Sequence, residues 1–522
     1  FKHMKVKILS TSDVHGYIFP TNFSSRTDYH PFGYLKAAQV IKTIKETAAS
    51  DEVVIYIENG DFLEGSPMTD YTYRTRKTKK YNQDFCMMTN FLDADAGVLG
   101  NHEFDYGISY IEETWKNKKY PILGANISGE MAQKIIDQPY RIIEKAGIKI
   151  AILGLTTQYV PHWEKAENID RITFSSALTA AKKYVPILKK QADVAVVAYH
   201  GGFEKDLGSG RLTEELTGEN EGYALLCEVP GIDALVTGHQ HRKIAQLVNG
   251  VPTTQPGYRA ENVGQISIEL DDNKAIIGSS AELLNTSDQP VNQELEAILM
   301  DWRHSIEDWL DIPVATVNGN MHIHNHLNAR LHGHAYLDLI NHIQMDATGT
   351  DVAGSALFND EVKGYDAQIT VRDILNNYIY PNTLVVERIS GADLRAALER
   401  CASFFELHAD GSISMASSCN VSKVQLYNYD YYSGIDYTFD LIKPLGQRVV
   451  RVMYHKQVLK DTDKIDVAIS QYRAVGGGEY PMFNMDKSIR VCDDDMPKLI
   501  AKYLREHKEF KAVQPNNLKI IK

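Results

Sequence analysis

The sequence predicts an α/β protein with a smaller α+β domain after it, and three observations carry that expectation. Apolar, β-branched runs alternate with amphipathic helical stretches from Lys5 to about Asn273. Several of those runs end in a burst of polar residues and glycine, and beyond a polar stretch near residues 274 to 290 the pattern restarts in a second mixed region. A chain of 522 residues, 43% of them hydrophobic, is long enough for two or three domains with cores of their own.

Taken in order, "VKILSTSD" reads as a strand, "YLKAAQVIKTIKETAAS" as a helix, and "EVVIYIENGD" and "AGVLGN" as strands. "IKIAILGLTT" is a further strand, "ALTAAKKYVPILKKQ" a helix, and "ADVAVVAYHGG" and "IDALVTGHQH" are strands again. The strands are continuous Val/Ile/Leu/Ala runs, as expected of a sheet covered on both faces. A helical stretch from Val291 to about Leu310 follows the polar segment "SSAELLNTSDQP". The second region holds strand-like "TLVVERI", helical "GADLRAALERCASFF", strand-like "QRVVRVMYHKQVL" and "KIDVAIS", and a glycine-rich "YRAVGGGEYPMF". The expected organisation is a first domain over 5–290, a helical linker or hinge region over 291–345 and a second domain over 346–522.

Composition excludes several functions. Net charge is -13 with Lys and Arg scattered, which argues against a nucleic-acid polymer or an anionic membrane as partner. No apolar run approaches the roughly 20 residues of a membrane span. Cys86, Cys227, Cys401, Cys419 and Cys492 are far apart and form no C-x-x-C pair, so free thiols are expected rather than a disulfide framework or a zinc ribbon. The opening "FKHM" reads as a cloning remnant before a native Met4, which implies a cytoplasmic protein. A secreted or periplasmic protein with its leader removed would look the same.

The strand-end bursts carry the chemistry. They are "SDVHG" (Asp13, His15), "NGDFLEGSP" (Asp61), "GNHEFD" (Asn101, His102, Asp105), "YHGG" (His200) and "GHQH" (His239, His241). In α/β sheets the carboxyl ends of strands are where ligands sit. On an extended end, residues i and i+2 point to the same side, so Asp13 and His15 can serve one ion together, as can His239 and His241. The set exceeds what one metal takes, and two ions sharing a carboxylate is the economical arrangement. Mixed carboxylate, imidazole and amide ligands without thiolate suit Mn, Zn, Fe or Co and argue against a structural zinc site. Asp105 lies three residues after His102, on the same face if a helix starts there, and can accept a hydrogen bond from the imidazole. Glu103 between them points elsewhere in that geometry and reads as scaffold.

The series D-x-H, G-D, G-N-H-E-x-x-D, H and G-H-x-H resembles the calcineurin-like dimetal phosphoesterases, and "GNHEFDYG" with a second domain after it resembles the 5′-nucleotidase family in particular. The resemblance implies a four-layer α/β/β/α metallophosphoesterase domain followed by a smaller α+β 5′-nucleotidase C-terminal domain. It implies two divalent metal ions, one held by Asp13, His15 and His241, the other by Asn101, His200 and His239, with Asp61 bridging. Such a pair orients and acidifies a water for in-line attack on phosphorus. His102 is implied to act on the phosphoryl group or the leaving oxygen, oriented by Asp105, with Asn101 also close to substrate.

The second domain addresses which ester is cleaved. In the 5′-nucleotidase family two aromatic side chains sandwich the nucleobase, and the matching positions here are Tyr429 in "YNYDYYSGIDYTFD" and Tyr472 in "SQYRAVGGGEYPMF". The family's N-G-G-G-x-R stretch is replaced by "VAGSALFND", without arginine, and Gly478 stands where an aspartate usually contacts ribose. Together with "YPNTLVVERISGADLRAALE", these departures resemble the branch acting as 2′,3′-cyclic-nucleotide 2′-phosphodiesterase and 3′-nucleotidase. The implied substrate is therefore a nucleotide, with a 5′-nucleotidase or nucleotide-sugar hydrolase, or a non-enzymatic ligand-binding protein on the same scaffold, as alternatives. The resemblance also implies a hinge between about 330 and 350. Three alternating imidazoles in "HIHNH", His322, His324 and His326, would face one way on an extended strand, though a solvated connector is the simpler reading. Oligomeric state is not legible in the sequence.

Overall fold

The computed structural model describes residues 3–420 and 424–522. The chain forms two compact units, Phe1–Asn22 with Arg26–Ile306 and Phe23–Ser25 with Glu307–Lys522, and the division falls inside the helix Gln293–Leu310.

In the first unit β1 (Met4–Thr11), β2 (Glu52–Glu58), β3 (Ala96–Val98) and β4 (Ile122–Leu123) pair in parallel. A second sheet is built from β5 (Tyr140–Lys145), β6 (Ile148–Thr156), β7 (Val194–His200), β8 (Ala234–Val236), β9 (Lys243–Val248) and β10 (Val251–Pro256). The chain then returns to the first sheet with β11 (Asn262–Leu270) and β12 (Ile276–Asn285). The sheet orders are β12-β11-β1-β2-β3-β4 and β9-β10-β8-β7-β6-β5.

The two sheets are packed face to face. Val6, Ile8, Ile55 and Ile57 of the first and Ile150, Ile152, Val194 and Val196 of the second share one buried core. The alternate residues of β6 and β7, among them Ala151, Leu153, Leu155 and Val197, point the other way. They pack against Ala181, Val185 and Leu188 of the helix Ala177–Gln191. With the helix Tyr34–Glu46 against the first sheet, the layers are α/β/β/α, as the family resemblance implies. Strands buried on both faces have no polar side to show, which is why they read as continuous apolar runs.

One segment differs from its sequence reading. The polar residues after Asn273 are not merely a connection, because β12 pairs with β11 along its length and closes the edge of the first sheet. An edge strand exposed along much of its length needs no apolar run, so its composition hides it.

The second unit is built on a five-stranded sheet of β13 (Ala353–Ala356), β14 (Thr383–Ser390), β15 (Asp430–Ser433), β16 (Lys464–Ser470) and β17 (Ser488–Asp495), in the order β15-β13-β16-β14-β17. Tyr336, Ile340 and Ile343 of the helix Ala335–Thr348 and Leu394, Ala397 and Leu398 of the helix Gly391–Ala402 share its core. All five cysteines are free thiols; Cys86, Cys401 and Cys419 are buried, Cys492 is half-buried and Cys227 is exposed. No helix among the described residues is long and apolar enough to cross a membrane.

Candidate metal centre

The parallel strands deliver their ends to one place. Asp13 and His15 follow β1, Asp61 follows β2, Asn101 and His102 follow β3, His200 ends β7, and His239 and His241 follow β8. Backbone hydrogen bonds lace these ends together: the Asp13 N–H donates to Gly60 O at 2.9 Å, and the His15 N–H to Asp61 O at 2.8 Å.

The local conformation is not the extended one expected. Asp13, His15, Asp61, His239 and His241 all have positive φ, between 51° and 73°. This left-handed region is costly for residues with a β-carbon, and such residues cluster at functional sites. Asp13 and His15 do meet, but through left-handed turns rather than through the pleat of a strand. His239 and His241, expected from spacing alone to serve one ion, face different groups.

Among the described residues three groups of potential ligands result, one of them Glu64, His102 and Asp105. Asp13, His15 and His241 bring one ligand atom each to within 4.8 Å of one another, and so do Asp61, His200 and His239. In the first group Asp13 Oδ2 accepts from the Ser12 hydroxyl at 2.7 Å and from the His239 N–H at 2.8 Å. Its Oδ1 is buried without a hydrogen-bond partner, 3.5 Å from His241 Nε2 and 3.7 Å from His15 Nε2. Asp61 stands between these two groups. Its Oδ1 accepts the His102 N–H at 2.8 Å, and its Oδ2 lies 3.1 Å from His200 Nε2 and 3.7 Å from His15 Nε2.

Hydrogen bonds on the far side of each ring set the tautomers. His15 Nδ1–H donates to Glu64 O at 2.9 Å and His200 Nδ1–H to Asn59 O at 2.6 Å, leaving both Nε2 atoms for the centre. His239 is turned over. Its Nε2–H donates to Glu219 Oε1 at 2.8 Å, and its Nδ1 lies 3.0 Å from Asn101 Oδ1. Burial works against the charge of Asp13 and Asp61, yet the imidazole of His200 and its neighbours hold both carboxyls below their usual range. Burial alone would lower His200, but Asp61 and Asp13 push it up to about 10. Orphaned buried atoms, Asp13 Oδ1 and His200 Nε2, among ionised carboxylates and orientable imidazoles fit a pair of divalent cations.

The stretch Asn101–Tyr106 is a short 3₁₀ helix rather than an α-helix. Three-residue periodicity places His102 and Asp105 one above the other, and His102 Nδ1–H donates to Asp105 Oδ2 at 2.8 Å. Burial would lower the His102 pKa, but Asp105, Glu64 and Asp61 raise it well above the ordinary histidine value. Glu103 is fully buried and points away, accepting backbone N–H groups from Gly100 and Phe62 at 2.5 Å and from Asp61 at 2.7 Å. It ties the Asp61 loop to the Asn101 turn, the scaffold role expected of it.

In the second unit Tyr472 is half-buried, but Tyr429 is not available to a ligand. It is 1% exposed, its ring packs edge-on to Phe404 and Phe405, and its hydroxyl donates to Arg330 O at 2.7 Å. The half-exposed ring opposite Tyr472 is Tyr427, with centroids 6.4 Å apart. One residue, Asn428, separates Tyr427 from Tyr429, and only backbone conformation decides which faces outward. "HIHNH" is not one strand either: His322 ends a two-residue strand, and Asn325 caps the helix that begins at His326. Glu64 and Glu219 were missed by the sequence reading. Glu64 sits inside a quoted burst, whereas Glu219 lies in a loop with no pattern to mark it.

Residues 6–243 match the calcineurin-like phosphoesterase family, and residues 313–485 match the 5′-nucleotidase C-terminal domain. A 2′,3′-cyclic-nucleotide 2′-phosphodiesterase/3′-nucleotidase of Haemophilus influenzae is 24% identical over 98% of this chain and 86% of its own. One from Salmonella typhimurium is 26% identical over 90% and 81%. A candidate 5′-nucleotidase of Staphylococcus aureus, crystallised with α-ketoglutarate, is 36% identical over 99% of this chain and all of its own, with a TM-score of 0.91. The chain therefore belongs to the 5′-nucleotidase family of calcineurin-like phosphoesterases, hydrolases of phosphoesters that work with a dimetal centre.

Proposed function

We propose that the protein hydrolyses 2′,3′-cyclic nucleotides to 3′-nucleotides, and these to nucleoside and phosphate. The observation that carries the reading is Asp61, whose Oδ2 faces both His15 and His200 while its Oδ1 receives the backbone of His102. Asp13, His15 and His241 would hold one cation and Asn101, His200 and His239 the other, with Asp61 shared. Mn, Zn, Fe or Co suits these donors. When bound, the pair supplies Lewis-acid stabilisation and an activated water for in-line displacement.

The chain's own residues do the rest. His102, charged and held by Asp105, donates a proton to the departing ribose oxygen, a contribution of roughly 10²–10⁴ in rate. Tyr472 and Tyr427, in place of the buried Tyr429, stack on the base, at roughly 1–3 kcal/mol per base and with tolerance for different bases. The names of the relatives and the loss of the arginine in "VAGSALFND" support the cyclic and 3′ branch over a 5′-nucleotidase. The test is kcat/KM for 2′,3′-cyclic AMP, 3′-AMP and 5′-AMP with Mn²⁺. The first two are expected to exceed the third, and a preference for 5′-AMP overturns the reading.

A further inference from the structure

Glu64 stands outside the two groups around Asp13 and Asp61, and with His102 and Asp105 it makes a third set of possible ligand side chains at the edge of the centre. It is 1% exposed, and neither carboxylate oxygen has a hydrogen-bond partner among the described residues. Its Oε2 is 3.0 Å from His102 Nδ1, the same nitrogen that donates to Asp105. A buried carboxylate without hydrogen bonds is destabilising unless a cation faces it, and the imidazolium of His102 is such a cation. Asp105 is meanwhile shared, because the Glu164 carboxyl is hydrogen-bonded to it.

We propose that Glu64 is a second carboxylate anchor for His102, its Oε2 set 3.0 Å from the Nδ1 that donates to Asp105, and thus a positioning residue for the proton transfer. Two carboxylates set against one ring nitrogen leave the imidazole little freedom about its Cβ–Cγ bond, and Nε2 becomes the nitrogen left for the substrate. The carboxylate also supplies a counter-charge that Asp105, bonded to Glu164, does not supply alone. Glu64 comes from the loop after β2, next to Asp61, whereas Asp105 shares the 3₁₀ helix with His102. The anchor therefore ties the imidazole to a loop other than its own. The inference rests on the reading of His102 as the proton donor.

The experiment uses the full chain with Mn²⁺ and two monoesters, 3′-AMP with a poor alkoxide leaving group and p-nitrophenyl phosphate with a good one. Glu64→Leu is expected to lower kcat on 3′-AMP by about 10- to 100-fold at nearly constant KM, within the range for a general acid. On p-nitrophenyl phosphate, where protonation matters little, the loss should be several-fold smaller. Glu64→Gln, which keeps the size of the side chain and a polar oxygen against Nδ1, should recover part of the loss and guards against misfolding of the leucine variant. Glu64→Leu combined with Asp105→Asn should match His102→Ala. Equal losses on both esters, or no recovery by glutamine, overturn the anchor. A third metal equivalent in the parent that is lost in Glu64→Gln makes Glu64, His102 and Asp105 a cation site and overturns it too. If His102→Ala shows no leaving-group dependence, His102 is not the donor and both readings fall together; a dependence in His102→Ala that Glu64→Leu lacks removes only the anchor.

Discussion

His239 Nε2 lies 2.8 Å from Glu219 Oε1, while Nδ1 of the same ring lies 3.0 Å from Asn101 Oδ1. The carboxylate fixes which nitrogen carries the proton and so which one is free to bind a cation. Outer partners of this kind typically hold 10- to 100-fold in metal affinity or activity. Glu219→Ala is expected to weaken one of the two metals by roughly that factor and leave the other unchanged, as measured by isothermal titration or by activity against free Mn²⁺. Equal weakening of both sites would show that Glu219 acts on the whole centre.

Gly100 has ordinary φ but no room for a side chain. A β-carbon there would collide with the Asp61 carboxylate and with the backbone nitrogen of Asp61. Gly100→Ala must therefore push the Asp61 carboxylate out of place. The expected result is a loss of kcat/KM of about 100-fold or more with a smaller loss of stability, about 1–3 kcal/mol, measured by thermal unfolding. A fully active alanine variant would show that Asp61 is not held where the structure has it.

The two tyrosine readings separate by mutation. Tyr427→Ala and Tyr472→Ala should each raise KM for nucleotides by about 5- to 100-fold, the equivalent of roughly 1–3 kcal/mol of stacking, without changing the thermal midpoint much. Tyr429→Ala should instead destabilise the protein, by about 3–5 kcal/mol for a buried aromatic ring. Nucleotide KM and Tm, measured on all three variants, decide between the rings.

Glu387 on β14 is fully buried, and burial pushes its carboxyl up to about 8, against the lowering effect of the Asn484 N–H and Lys487. Because its folded pKa exceeds the ordinary 4.5, the folded state binds more protons than the unfolded one between those values. Its contribution is therefore complete at low pH and is lost as pH rises from about 4.5 through 8. Glu387→Gln, which cannot ionise, should remove this part of the pH dependence. Its Tm relative to the parent should be a few degrees higher at pH 9 than at pH 5, at roughly 2–4 °C per kcal/mol. Parallel pH profiles of the two proteins would refute the assignment.

Much of the first unit was legible because each strand is short, apolar and closed by a polar burst. Asp13, Asp61, Asn101 and His200 stand at such endings, and parallel pairing brings the endings together. The edge strand β12 escaped notice because it is exposed along much of its length, so nothing forces an apolar pattern on it. Glu103 was legible as scaffold, but not its clasp on the backbone of Gly100, Asp61 and Phe62, which depends on a loop some 40 residues away.

Residue type and order by themselves determined the layered architecture, the donor set at the strand ends and the His102–Asp105 pairing. These are local properties, since periodicity of two or three residues and a change of polarity are written in neighbouring positions. Tertiary structure decided how the donors divide. His239 and His241 are two apart but serve different groups, because both adopt positive φ and the two-residue rule of a pleat does not hold there. It also decided that Tyr427 rather than Tyr429 is open to a ligand, and that Glu64 and Glu219 lie against the rings of His102 and His239. Those relations join residues that are distant in the chain, and only the packing of the loops brings them within hydrogen-bonding reach.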